Sequence, residues 1–85
     1  MTKTNDMKDQ EWLCPVKPEE IPTKYNWVAQ DYAGRWFAFE EEPIPFETIL
    51  GWYMSPKSVF ENHFLYEGEY NANWRKTLQK IPRCN

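Results

Sequence analysis

Few residues in this 85-residue chain carry the groups that acid–base or nucleophilic chemistry uses. His63 is the one histidine. It has no serine or cysteine close by in sequence and stands among the aromatics Phe60 and Phe64, so it reads as an ordinary sheet-face histidine. Ser55 and Ser58 are the only serines, and neither occupies a G-x-S-x-G elbow. The three glycines are scattered at Gly34, Gly51 and Gly68, which leaves no phosphate-cradling loop. Carboxylates cluster at Glu19-Glu20 and Glu40-Glu41-Glu42, but beside prolines and in polar surroundings. A carboxylic acid must be buried to keep its proton for catalysis, and nothing in these stretches buries one. Cys14 and Cys84 could close a loop of about 70 residues, with a large entropic gain. They form no C-x-x-C pair and no leader precedes them, so they read as two free thiols. A closed zinc site wants four ligands at short spacings. The residues therefore predict no enzyme, no metal and no cofactor.

What the chain has in excess is aromatic surface. Leu, Ile, Val and Phe together fall just under about a fifth of the residues, a share that in a highly charged chain signals disorder. Here the net charge is only -3, and there are five Trp, five Tyr and five Phe. A disordered chain is poor in aromatics, so the reading is a folded domain with an aromatic core. Its length allows one domain. The pI near 5.1 argues against a protein that coats nucleic acid through its overall field. The acidic residues crowd the first half, whereas Arg75, Lys76, Lys80 and Arg83 lie toward the C-terminus. Those cations suit either the end of a helix or a small anion-binding patch at Arg75 and Lys76. No apolar run approaches the length of a transmembrane helix. Met1 to Gln10 is polar and unlike a signal peptide, so the expected location is cytoplasmic.

These side chains must be positioned by a few short elements. Residues 1–20, broken by Cys14-Pro15 and Lys17-Pro18, read as a flexible arm that docks through Trp12 and Leu13. Residues 21–85 read as one small α+β domain. Residues 25–40 form a β-hairpin, because two alternating runs rich in strand formers flank Asp31-Tyr32-Ala33-Gly34. That tetrapeptide fits a type I turn followed by a glycine bulge. The turn sets the register. Asp31 faces Arg35, Ala29 faces Phe37, Trp27 faces Phe39 and Tyr25 faces Glu41, while Val28 meets Ala38 and Gln30 meets Trp36. The Trp27 and Phe39 pair should add up to about 1 kcal/mol. The prolines of Glu42-Pro43-Ile44-Pro45 predict extended, unpaired backbone, and residues 48–54 predict a third strand. Residues 57–69 read as a strand, against a helix that a Ser58 and Glu61 capping box would start. The small antiparallel sheet thus has one or two strands beyond the hairpin. Trp74, Leu78 and Ile81 recur at helical spacing, so a short helix at about 72–80, stopped by Pro82, is expected to cover one face of the sheet.

A sheet with one covering helix leaves aromatics over. Trp36, on the face of the sheet opposite to that of Trp27, and Trp52 with Tyr53 are the expected exposed contacts, rimmed by Arg35, Glu40, Glu41 and Glu42. On this reading, removing Trp36 and Trp52 together would spare folding and abolish partner capture.

Two segments also carry a resemblance. Trp27-x-Ala29-x-Asp31-x-x-Gly34-x-Trp36, with Pro43 beyond it, and Asn73-Trp74-Arg75-Lys76-Thr77-Leu78, with Pro82 beyond it, resemble motifs of short accessory proteins of tailed phages and prophages. The resemblance covers about half of the chain. It implies a small protein made inside an infected bacterium that binds, and inhibits, a host protein or defence complex. Two alternatives stand beside it. One is a homo-oligomer, a homodimer for example, whose aromatic pockets stack a nucleotide, with Arg35 or Arg75 on the phosphate. The other is single-stranded nucleic-acid contact through the basic C-terminal segment. No membrane partner is expected.

Overall fold

Trp27–Gln30 (β1) and Arg35–Phe39 (β2) form the expected hairpin in a computed structural model that describes residues 11–54 and 62–83. Its register is the one that the turn dictates: Trp27 with Phe39, Val28 with Ala38, Ala29 with Phe37 and Gln30 with Trp36. The Gly34 N–H donates to Asp31 O at 3.0 Å, and the Asp31 N–H to Arg35 O at 3.0 Å. Gly34 has a φ of +97°, the left-handed bulge position. A side chain is barred there twice, because a Cβ would also meet Glu69 O at 2.5 Å. Ladder pairing begins at Trp27 rather than Tyr25, and Tyr25 instead turns into the core.

His63–Glu67 (β5) pairs with the outer edge of β2, and Gln79–Lys80 (β6) with the outer edge of β1. The result is an antiparallel sheet in the order β5-β2-β1-β6. The strand expected within 57–69 is present as β5, while the Ser58 and Glu61 capping box lies outside the described residues.

The C-terminal helix expected at 72–80 is not formed. Trp74–Thr77 makes a single 3₁₀ turn, and the chain then straightens into β6. Two turns of helix are not stable alone, whereas the free edge of β1 offers hydrogen bonds at once. Val28 pairs with Gln79, Trp27 with Lys80, and the Ile81 N–H reaches Asn26 O at 2.8 Å. Thr77 Oγ1 extends this edge by accepting the Gln30 N–H at 2.8 Å. The helical spacing is therefore coincidental: Trp74 and Leu78 pack on one face of the sheet and Ile81 on the other.

Both faces of the β1 and β2 pair are covered, whereas β5 at the edge is largely exposed. On one face Val28, Trp36, Ala38 and Ile81 pack with Cys14, Ile21 and Tyr25, and Trp12 and Val16 lie against this cluster. The segment 11–25 thus acts as a strap. Side chains rather than strand pairing hold it. Gln79 accepts the Leu13 N–H at 2.9 Å and donates to Glu11 O at 2.7 Å. The Arg83 guanidinium donates to the carbonyls of Pro18, Ile21, Pro22 and Tyr25 at 2.7–3.2 Å. Leu13 itself remains exposed.

On the other face Ala29 and Phe39 pack with Trp52 and Trp74. Trp52 belongs to a second, two-stranded sheet of Ile44–Phe46 (β3) and Gly51–Tyr53 (β4). The prolines of this region do not prevent pairing, contrary to the sequence expectation. Pro45 stands opposite Trp52 in an isolated strand pair, where a missing N–H is tolerated. The third strand is accordingly shorter than 48–54, since Glu47–Ile49 forms a 3₁₀ turn.

Burial pushes the Cys14 thiol above its usual range, outweighing a backbone hydrogen bond at Val16 that favours the thiolate. A raised thiol pKa contributes stability below the ordinary thiol range that is lost as pH rises through it. Folded Cys84→Ser protein should therefore resist maleimide at neutral pH and label promptly in urea, as mass spectrometry would read. Prompt labelling without denaturant would show that the strap does not stay closed.

Candidate docking face

The hairpin of β3 and β4 has two unlike faces. Its inner face carries Trp52, 8% exposed, whose indole Nε1–H donates to Gln30 O at 2.9 Å. The Trp52 and Trp74 rings meet edge-on with centroids 5.6 Å apart. Its outer face carries the cross-strand pair Ile44 and Tyr53, with Phe46 beside them on the same side. These three are 55%, 39% and 43% exposed. Phe46 and Tyr53 pack ring to ring at 5.6 Å, so the uncovered apolar surface is continuous.

The tip extends this surface. Leu50 adopts left-handed backbone, φ 53° and ψ 43°, which for a residue with a Cβ costs about 1–2 kcal/mol. Hydrogen bonds on both sides hold it there. Its N–H donates to Glu47 O at 3.0 Å, and its carbonyl accepts the Tyr32 N–H at 3.0 Å. Ile49 and Leu50 consequently project from the tip, both exposed, beside the edge-on pair of Tyr32 and Tyr70. Two adjoining hollows of about 220 and 250 Å³ lie next to the tip and share Asp31, Arg35 and Ile49.

Arg35 is positioned by its own turn. Asp31, only 7% exposed, accepts the Arg35 backbone N–H on Oδ1 at 2.9 Å. Its Oδ2 accepts Arg35 Nε at 3.1 Å and pairs with Nη2 at 3.0 Å. The guanidinium is thus neutralised from within the chain. Arg75 is likewise paired, with Glu47, while its guanidinium lies over the Trp74 ring.

The residues expected to bind a partner are therefore divided by the fold. Tyr53 and Arg35 are exposed, as are Glu41 and Glu42 at the open end of the β3 and β4 hairpin. Glu40 is half-buried and pairs with Lys24 at 3.4 Å. Trp36 and Trp52, expected on the surface, are buried at 5% and 8%. The strap covers Trp36, and a hydrogen-bonded indole turned inward accounts for Trp52. Sequence reasoning missed Ile44 and Phe46 because the prolines and acids around them read as an unpaired edge, and Ile49 and Leu50 because residues 48–54 read as one continuous strand. The usable signal was the alternation of Ile44, Pro45 and Phe46 before a second run, Gly51-Trp52-Tyr53, with a four-residue turn between them.

No protein-family profile, curated protein or solved structure matches the chain. Chemistry on the described residues must therefore be read from geometry alone. Among those residues no group of three or more His, Cys, Asp or Glu side chains could hold a metal ion. His63 stacks on Tyr25 with centroids 5.1 Å apart. Among the described residues no helix is long and apolar enough to cross a membrane. The two motif segments are used structurally. Gln30, Gly34, Trp74 and Thr77 join one buried network, in which Thr77 Oγ1 lies 2.7 Å from Trp74 O and the Gln30 amide donates to Gly34 O at 2.9 Å. What this arrangement offers another molecule is an apolar face with an acidic end.

Proposed function

We propose that this chain is a non-enzymatic protein-binding domain, and that its contact surface is the outer face of the β3 and β4 hairpin together with the tip. The observation that carries the reading is the asymmetry of that hairpin. Its inner side chain fills the core, whereas Ile44, Phe46 and Tyr53 belong to neither core cluster and stay exposed. Contiguous exposed apolar area of this kind marks contact sites, and aromatic residues dominate binding energy within them. Arg35, Tyr32 and Tyr70 extend the surface around the tip.

The resemblance to phage accessory proteins supports a partner from the infected bacterium, with inhibition through occupation of that partner's surface. The hollows at the tip are smaller than the roughly 300 Å³ at which pockets for drug-sized ligands begin. Arg35 and Arg75 already hold carboxylates. Both facts favour a protein partner over a stacked nucleotide. The test is reconstitution from purified components after a partner has been captured from host lysate. Tyr53→Asp should weaken the complex at least about 30-fold. Equal affinity of wild type and a folded Tyr53→Asp variant would remove the face from the function.

A further inference from the structure

We infer that the groove beneath residues 11–16 is a peptide-recognition site, shut in the free chain by its own strap. In trans it accepts a segment of another protein built like that strap: an aromatic residue, a small residue two places on, and then a proline bend. This groove lies on the other face of the sheet from the β3 and β4 hairpin and is separate from the contact surface proposed above.

The observation that carries the inference is the use made of Gln79. Its backbone belongs to β6, opposite Val28, and the residue is only 6% exposed. A buried primary amide must satisfy both a donor and an acceptor. Gln79 spends both on the main chain around Trp12. Its Oε1 accepts the Leu13 N–H at 2.9 Å, and its Nε2 donates to Glu11 O at 2.7 Å. Those are the two groups that a neighbouring strand takes up in a ladder. The main chain is thus held without regard to side-chain type, and selectivity falls to the side chains. These alternate. Cys14 is buried, and Trp12 and Val16 are half-buried against the same cluster, while Glu11, Leu13, Pro15 and Lys17 are exposed. The Trp12 indole N–H is satisfied within the segment, on Val16 O at 3.0 Å, so the groove takes the ring by contact. Main-chain hydrogen bonds for affinity and pockets for alternate side chains are how binding domains hold peptide ligands.

The segment is also placed to leave. Among the described residues, Gln79 is the only group outside it that bonds its backbone. Residues 18–25 are held separately, by Arg83. Lys17, exposed and extended at φ -68° and ψ 147°, lies between the two halves. Opening 11–16 therefore breaks no strand pair and leaves the second half in place. Segments with so few backbone bonds open first. The strap competes with an incoming peptide as a tethered ligand, so weakening the strap should strengthen binding in trans.

The probe is a synthetic peptide of residues 11–17 bearing Cys14→Ala, and the reporter is Cys14 of the full chain carrying Cys84→Ser. A peptide seated in the groove displaces the strap and frees the thiol. Maleimide labelling of Cys14, read by mass spectrometry, should accelerate at least about 10-fold as the peptide is raised to about 2 mM, the range of effective concentration of a short tether. A peptide with Trp12 and Leu13 exchanged should have no effect, because it turns the aromatic ring outward. Anisotropy of a dye-labelled peptide should show binding at least about 10-fold tighter to the Trp12→Ala chain than to its parent. Adding Gln79→Ala to Trp12→Ala should remove that gain. Should either variant fail to fold, labelling of the Cys84→Ser chain, whose strap is intact, decides alone. Unchanged labelling at the highest peptide concentration overturns the inference, as does equal acceleration by the exchanged peptide. So does a folded Trp12→Ala chain that binds no more tightly. Dimerisation of the peptide-free chain would assign the groove to the strap of a second copy and overturn an external partner. Tyr53→Asp should leave peptide binding unchanged, so this reading and that of the hairpin face can fail separately.

Discussion

Replacing Trp36 and Trp52 together by alanine should leave the chain unfolded in water at 25 °C. The sequence alone suggested the opposite, a folded protein that has lost its partner. The structure reverses the expectation because both indoles are buried, on opposite faces of one sheet. Removing a buried Trp side chain costs about 3–5 kcal/mol, from lost transfer energy and the cavity left behind. Trp52→Ala also takes away the donor to Gln30 O. The two sites share no cluster, so their effects should add. The sum is comparable to the whole stability of a small domain, about 5–10 kcal/mol. Far-ultraviolet circular dichroism and urea titration would read this directly. A cooperative unfolding transition in the double variant would show that the sheet is far less dependent on its two covers than their burial implies.

Arg83→Ala should cost about 2–4 kcal/mol and release the strap before the sheet unfolds. Arg83 is a cation that pairs with no carboxylate among the described residues and instead serves four backbone carbonyls between Pro18 and Tyr25. Those carbonyls lie in a segment without strand pairing, so they have no alternative donor in the chain except through local turns. Hydrogen bonds from a charged donor are worth about 1.5–3 kcal/mol each, though the more exposed acceptors recover water. Arg83→Lys should rescue only a minor part, because an ammonium is a point charge without the planar fork that spans four acceptors. Hydrogen exchange would show early opening across 11–25 in the alanine variant. Full rescue by lysine would mean that charge, rather than the geometry of the fork, holds the strap.

Legibility followed the range of the interaction. The β1 and β2 hairpin was readable residue by residue, because Asp31 and Gly34 impose the turn and a turn imposes a register on the strands beside it. The candidate site was readable only in part. Tyr53, Arg35, Glu41 and Glu42 reached the surface, since polarity and alternation are local signals. Ile44 and Phe46 were hidden by their prolines. Pro45 vetoes a central strand but not one member of an isolated pair. Trp36 and Trp52 were misplaced for a different reason. Alternation says which residues share a face of a sheet, but not whether that face will be covered.

The sequence by itself determined a small antiparallel domain with an aromatic interior, one hairpin and its register. It also left no set of side chains with the spacing of a known catalytic motif. The tertiary structure decided everything that depended on a free edge or an open face. Residues 78–81 form a strand edge instead of a helix because β1 had unpaired groups to offer, and twelve or more residues would be needed for an isolated helix to compete. The strap covers one face because Arg83 and Gln79, more than fifty residues away in sequence, bind its backbone. Which aromatics remain for a partner is the difference between the two covers and the surface available. That difference cannot be computed from neighbours in sequence, because each cover is closed by residues distant along the chain.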